Sequence, residues 1–201
     1  MTINLYIGDL PSNLDLGTAV AIDSETMGLK PHRDRLCLIQ LSSGDGNAHL
    51  VKFEQQNYNA PNLVKLLENS DITKIFHYAR FDVAVINKYL QAQIDSIYCT
   101  KIASKLVRTY TDKHGLKDLC KELLRLDLSK QQQSSDWGGK LSKEQKEYAA
   151  SDVLHLHKLK KKLDVILARE NRINIANARF KFITHRTDLD LYGWQDVDIF
   201  K

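Results

Sequence analysis

Cysteine is scarce and scattered in this chain. Only Cys37, Cys99 and Cys120 occur in 201 residues, and no two are spaced C-x-x-C. That excludes a disulfide framework and a structural zinc site, and it reads as reduced thiols in a cytoplasmic protein. No apolar run approaches the ~18 residues of a membrane span. The N-terminal "MTINLYIGDL" lacks the basic start and small-residue cleavage site of a signal peptide. The expectation is an intracellular, cytoplasmic protein with no membrane partner. Gly44-x-Gly46 lacks the third glycine of a dinucleotide fingerprint, because residue 49 is His, and no Walker A motif occurs. No internal repeat, low-complexity tract or Pro/Gly-rich linker marks a boundary. One domain over residues 1–201 is expected, with 170–201 a C-terminal extension that docks on the core or on a neighbouring subunit.

What is present is ordinary in bulk. Apolar residues make up 43% and charged residues 27%, and the net charge is +4. Such a length supports one domain with a real core. The mild positive balance permits a polyanionic partner without requiring one.

The first half alternates strand-like and helix-like segments. "VAIDSE", "LCLIQLSS" (36–43) and "AHLVKF" (48–53) read as strands. "GDGN" (44–47) is a turn between the last two, so these three strands are expected to be antiparallel. "NLVKLLEN" (62–69) has helical spacing, "ITKIFH" (72–77) reads as a buried strand, and "FDVAVINKYL" (81–90) as a helix. From about Thr100 the pattern is helical: "KIASKLVR", "GLKDLCKELLRL", then one long stretch from Ser142 to about Arg169. The fold class is therefore α/β with a mixed sheet.

The stretch "AVAIDSETMGL" drives an apolar strand into Asp23-Ser24-Glu25. Residues i and i+2 of a strand share a face, so both carboxylates project together at its carboxyl end. Like charges that close raise each other's pKa unless a cation sits between them. Asp188/Asp190 and Asp196/Asp198 have the same spacing but follow no apolar run, and they read as solvated or capping residues. Asp82 opens a helix, where the macrodipole alone favours an acid. Tyr148 and Asp152 are four apart on a helix and share a face, either as a functional pair or as a core Tyr hydrogen-bonded to an Asp.

In order, D-x-E on a strand, an Asp opening a helix ~60 residues on, and a late Y-x-x-x-D resemble the DEDD superfamily of 3'-5' exonucleases. The branch is the tyrosine one: Tyr148 stands four before Asp152, and Glu147 occupies the place of the histidine of the other branch. "RDRLCLIQLSS", "IFHYARFD", "GLKDLCKELL" and "SKQQQSSDW" are similar to ribonuclease D catalytic domains. Bacterial ribonuclease D carries C-terminal helical domains, whereas here a few dozen residues follow the last motif. Over its whole length, with the tail "RTDLDLYGWQDVDIF", it resembles the short nano-RNase C group.

The resemblance implies a ribonuclease H-like mixed sheet flanked by helices. It also implies a hydrolase that removes nucleoside 5'-monophosphates from the 3' end of short RNA, with dinucleotides favoured. The alternative is a broad 3'-5' RNA or DNA trimming exonuclease. A non-catalytic nucleic-acid-binding module fits less well, since no acid is missing. Two divalent cations, Mg²⁺ or Mn²⁺, are implied. Asp23 would bridge both, Glu25 and Asp152 would complete one site, Asp82 would support the other, and Tyr148 would orient the attacking water.

Candidates for holding substrate are softer. Leu29, after Met27-Gly28, is placed by the resemblance as an apolar wedge against terminal bases. His77 either touches a phosphate or is a satisfied core histidine. Arg80 is a second candidate for a phosphate. Lys101, Lys105 and Arg108 fall on one helical face, as a phosphate stripe or a solvated one. Lys130, Gln133, Ser135, Asp136 and Trp137 match the family segment before the last motif and border the substrate groove, unless Trp137 only packs. His155 and His157 lie on opposite sides of a helix and do not share a metal. The apolar tail residues Leu189, Leu191, Tyr192, Trp194, Val197, Ile199 and Phe200 must dock somewhere. With the resemblance they lead to the expectation of a homo-oligomer, a closed ring of eight subunits.

Overall fold

A computed structural model describes residues 1–128, 135–199 and 201. Six strands form one mixed sheet: β1 (Ile3–Ile7), β2 (Ala19–Thr26), β3 (Leu36–Ser42), β4 (Ala48–Lys52), β5 (Thr73–Phe76) and β6 (Ile97–Cys99). Their order is β1-β4-β3-β2-β5-β6. The three strands read from sequence are antiparallel neighbours, as the turn at Gly44 and Gly46 requires. β1 adds to β4 in parallel, and β5 and β6 follow β2 in parallel.

The helices are α1 (Pro61–Glu68), α2 (Ala79–Leu90), α3 (Thr100–Val107), α4 (Leu116–Leu119), α5 (Lys143–Leu154), α6 (Leu156–Arg169) and α7 (Ile173–Leu189). Local signals explain several ends. Proline opens α1, where its missing N–H costs nothing. Ala60 cannot cap that helix, so Asp9 does it from a distance, accepting from the backbone N–H groups of Asn62 and Leu63 at 2.9 Å each. Ser142 and Gln145 form a reciprocal capping box that starts α5. The stretch expected as one helix from Ser142 to Arg169 is broken at His155, between α5 and α6.

Two layers of core flank the sheet. Every residue of β3 is buried, so it is the floor for both faces. On one side Trp137, Leu141 and Ala149 pack on Cys37, Leu38 and Leu50, which seats α5 over the central strands. On the other, α7 lies against α2 and β6, with Phe180 and Ile183 buried and the Phe180 ring 4.7 Å from that of Tyr98. All three cysteines are buried free thiols. No described helix is long and apolar enough to cross a membrane.

Candidate active site

β2 is paired on both sides only at its start. Ala19 to Ala21 run beside β5, while Asp23 and Glu25 are paired on the β3 side alone. The end of β2 therefore leaves the sheet as a lip, and α2 begins beside it. The register sets Gln40 opposite Asp23, and Gln40 Nε2 donates to Asp23 Oδ2 at 3.0 Å. A β-bulge after Glu25 turns the strand into the Met27–Leu29 loop.

Asp23, Glu25 and Asp152 each place a carboxylate oxygen within 4.8 Å of the others. Asp82 stands beside this trio, buried in the first turn of α2, and accepts the Ser24 hydroxyl at 2.6 Å. Ser24 sits between the two strand acids on the opposite face of β2, so one strand aims at both groups. Tyr148 lies one turn before Asp152 on α5, its ring 6.0 Å from that of Trp137.

The electrostatics are those of an incomplete site. Burial, then Asp82, Asp152 and Glu25 in that order, hold the Asp23 pKa well above the usual carboxylate value. Burial, then Asp152 and Asp82, push Glu25 up to about 9. Burial raises Asp82 to about 7 against the pull of the Ser24 hydrogen bond. Burial raises Asp152 to about 7 against the pull of the Tyr148 hydroxyl. Burial and then Asp152 lift the Tyr148 phenol far above its ordinary range, so it stays neutral. Asp82 is buried and Asp23, Glu25 and Asp152 are half-buried, with no lysine or arginine among them, an arrangement that a cation would neutralise. Their hard oxygen donors suit Mg²⁺ or Mn²⁺.

The acids open into a cleft of about 600 Å³. Leu29, His77, Lys101, Ser135, Trp137 and Tyr148 line it with Asp23, Glu25 and Asp152. Leu29 is 86% exposed at the rim. His77 receives or gives a hydrogen bond with the Thr100 hydroxyl at 2.9 Å, and burial, aided by Lys101, pushes its pKa down to about 3. It enters the cleft as a neutral ring. Lys101 lies over the Tyr78 ring, 4.0 Å from its centre.

Other candidates fall elsewhere. Lys105 does not line the catalytic cleft and faces a separate depression with Arg179 and Arg186. Arg108 lies past the end of α3, 1% exposed, and is held by Glu122, Ser104 and the Lys113 carbonyl, so the expected three-residue stripe does not exist. The Arg80 guanidinium meets Asp190 at 2.6 and 2.7 Å. Asp190, expected as a solvated residue, has a side chain only 10% exposed. His157 Nε2 faces the Ala19 carbonyl at 2.9 Å, away from His155. Lys130 and Gln133 lie outside the described residues.

A sequence model of a family described as 3'-5' exonuclease matches residues 8–168. This chain belongs to that 3'-5' exonuclease family. Among solved structures, "Brucella melitensis NrnC with bound Mg2+" is 54% identical, with a TM-score of 0.95 over 100% of this chain and 99% of that one. "Brucella melitensis NrnC bound to pGG" is 55% identical, with a TM-score of 0.96 over 100% and 98%. The ribonuclease D of Gluconacetobacter diazotrophicus is 31% identical over 77% of this chain and 39% of its own length. The chain spans about two fifths of the length of the ribonuclease D relatives it matches. The exonuclease family gives the mixed sheet and its flanking helices their context.

Family membership and the raised pKa values lead to a pH-dependent prediction. Each acid binds its proton more tightly folded than unfolded. The metal-free protein therefore loses stability as pH rises from about 4, through about 7 for Asp82 and Asp152, towards about 9 for Glu25. Mg²⁺ replaces those protons, so its rise in Tm should be larger at pH 8 than at pH 6. Thermal melts with and without Mg²⁺ at both pH values check this. An equal rise at both would remove the link between the acids and the cation.

Proposed function

We propose that this protein is a divalent-metal-dependent 3'-5' exonuclease that releases nucleoside 5'-monophosphates from short RNA. The observation that carries this is the convergence of Asp23, Glu25 and Asp152 with Tyr148 in one open cleft, with Asp82 buried behind them on Ser24. Two ions, Mg²⁺ or Mn²⁺, would neutralise charge on the attacking and leaving oxygens and acidify the attacking water. Asp23, Glu25, Asp82 and Asp152 present the oxygens that hold them. Gln40 fixes the Asp23 carboxylate, and Ser24 fixes that of Asp82. The neutral Tyr148 hydroxyl holds water in line. Lys101, one of two lysines that line the cleft with Lys117, brings positive charge towards a phosphate, while Leu29 offers apolar surface to a terminal base.

We read the preferred substrate as very short. Leu29 stands exposed on the cleft lining as an apolar surface for a terminal base, the net charge of +4 gives limited counterion-release affinity for long backbones, and the relative NrnC is seen bound to pGG. A 5'-phosphorylated dinucleotide should therefore give a higher kcat/KM than a seven-residue oligomer or the unphosphorylated dinucleotide. Equal values for all three would leave a broad RNA or DNA trimming exonuclease in its place.

We also propose a homo-oligomer, for which the ring of eight remains the specific form. Tyr192, Trp194, Val197 and Ile199 are 80, 52, 51 and 45% exposed, a cluster of large apolar groups for one short segment. Light scattering at micromolar concentration checks it; a monomer would end the proposal.

A further inference from the structure

We propose that Asp190 and Arg80 form a clamp through which the C-terminal segment sets the first turn of α2, and with it Asp82. Both act as positioning residues for the exonuclease reaction proposed above, on which this inference rests for its kinetic part.

The first turn of α2 has little local support. Its N-cap residue, Tyr78, has no side-chain cap and sits at φ 74°, in the left-handed region that a tyrosine rarely adopts. Yet this turn carries Phe81 and Asp82, which must be placed accurately against β2. Ser24 holds the Asp82 carboxylate from β2, and the tail adds a second fixation to the helix start from outside. Arg80 Nε donates to Asp190 Oδ2 at 2.6 Å, and Arg80 Nη2 to Asp190 Oδ1 at 2.7 Å and to the Gln195 carbonyl at 2.7 Å. A two-pronged guanidinium–carboxylate pair fixes direction as well as distance.

Asp190 is itself anchored. Arg186, on α7, reaches Asp190 Oδ1 at 2.9 Å and the Gln195 carbonyl at 2.8 Å. One nearly buried carboxylate thus ties a guanidinium from α2 to a guanidinium from α7. Asp190 and Gln195 also wall a second cleft of about 350 Å³. Leu29, Tyr78 and Phe81 line both that cleft and the catalytic one. The tail is therefore part of the frame around the site, although it contributes no group to the acid cluster. Nε and Nη2 of Arg80 are both engaged within the protein.

The test uses the full chain with Asp190→Asn, Asp190→Glu, Arg80→Lys and the Asp190→Asn/Arg80→Lys double variant, at a temperature where each melts well above the assay. Three readouts are taken: kcat and KM on a 5'-labelled short RNA, the Mg²⁺ concentration for half activity, and amide hydrogen exchange at residues 79–83. Asp190→Asn and Arg80→Lys should each lower kcat about tenfold with KM little changed, because a small misplacement of Asp82 costs rate more than binding. Each should raise the Mg²⁺ requirement and speed exchange at 79–83. The double variant should be no worse than either single one, and Asp190→Glu should recover part of the loss. Unchanged exchange at 79–83 in folded Asp190→Asn would overturn the clamp. So would a rise in KM confined to Arg80→Lys, which would return Arg80 to the substrate. If the unaltered protein cleaves no oligonucleotide, the exonuclease reading fails, while the exchange result still decides the clamp.

Discussion

Asp23→Asn is expected to reduce kcat on a short RNA by roughly three orders of magnitude or more while leaving the fold intact. The asparagine keeps the shape and the Gln40 contact partner but removes the anion at the centre of the cluster. In the free protein this carboxylate is already held against its neighbours Asp82, Asp152 and Glu25. Losing its charge therefore relieves repulsion, and the metal-free variant should melt at or above the Tm of the parent. The same change should erase the Mg²⁺-induced rise in Tm. Asp152→Asn should behave alike. Steady-state cleavage and paired melts are the measurements. Activity that survives in either variant, or in excess EDTA, would end the metal-based account.

Tyr148→Phe is the second large effect: kcat should fall about a hundredfold with KM nearly constant, since the hydroxyl acts on water only as the transition state forms. The half-buried phenol stands beside Asp152, Glu25 and Asp23, and its raised pKa keeps it protonated at any working pH. On the proposed mechanism it would orient water and not act as a base. Parent and variant should show pH–rate curves of the same shape, displaced vertically. A curve whose alkaline limb vanishes in the variant would make Tyr148 the titrating group. An unchanged kcat would leave the ring only its packing on Trp137.

The central strands were legible because β2 and β3 carry unbroken apolar runs and the turn between β3 and β4 holds two glycines. The outer strands were not. β1 has Leu5 and Ile7 exposed on an edge, so it shows no burial pattern, and β6 is three residues long. The four acids and Tyr148 were legible only as an ordered set read with the family resemblance, since no single spacing among them was decisive. Their partners were not, because Gln40 reads as one polar residue in a buried strand and Ser24 as filler between acids. A buried glutamine in "LCLIQLSS" was the available signal, since a buried amide demands a partner. The role of Arg80 depends on Asp190, 110 residues away, and no local pattern carries a pairing of that length.

The division of the acids between β2 and α5 has a consequence for synthesis. Asp23 and Asp152 are separated by roughly 130 residues, which a ribosome adding ~5–20 residues per second needs about 6 to 26 s to supply. During that interval the emerging β2 holds half a cluster and no Tyr148. On the proposed assignment the nascent chain would be chemically idle beside the RNA that encodes it, with nuclease chemistry starting only once α5 closes over the sheet.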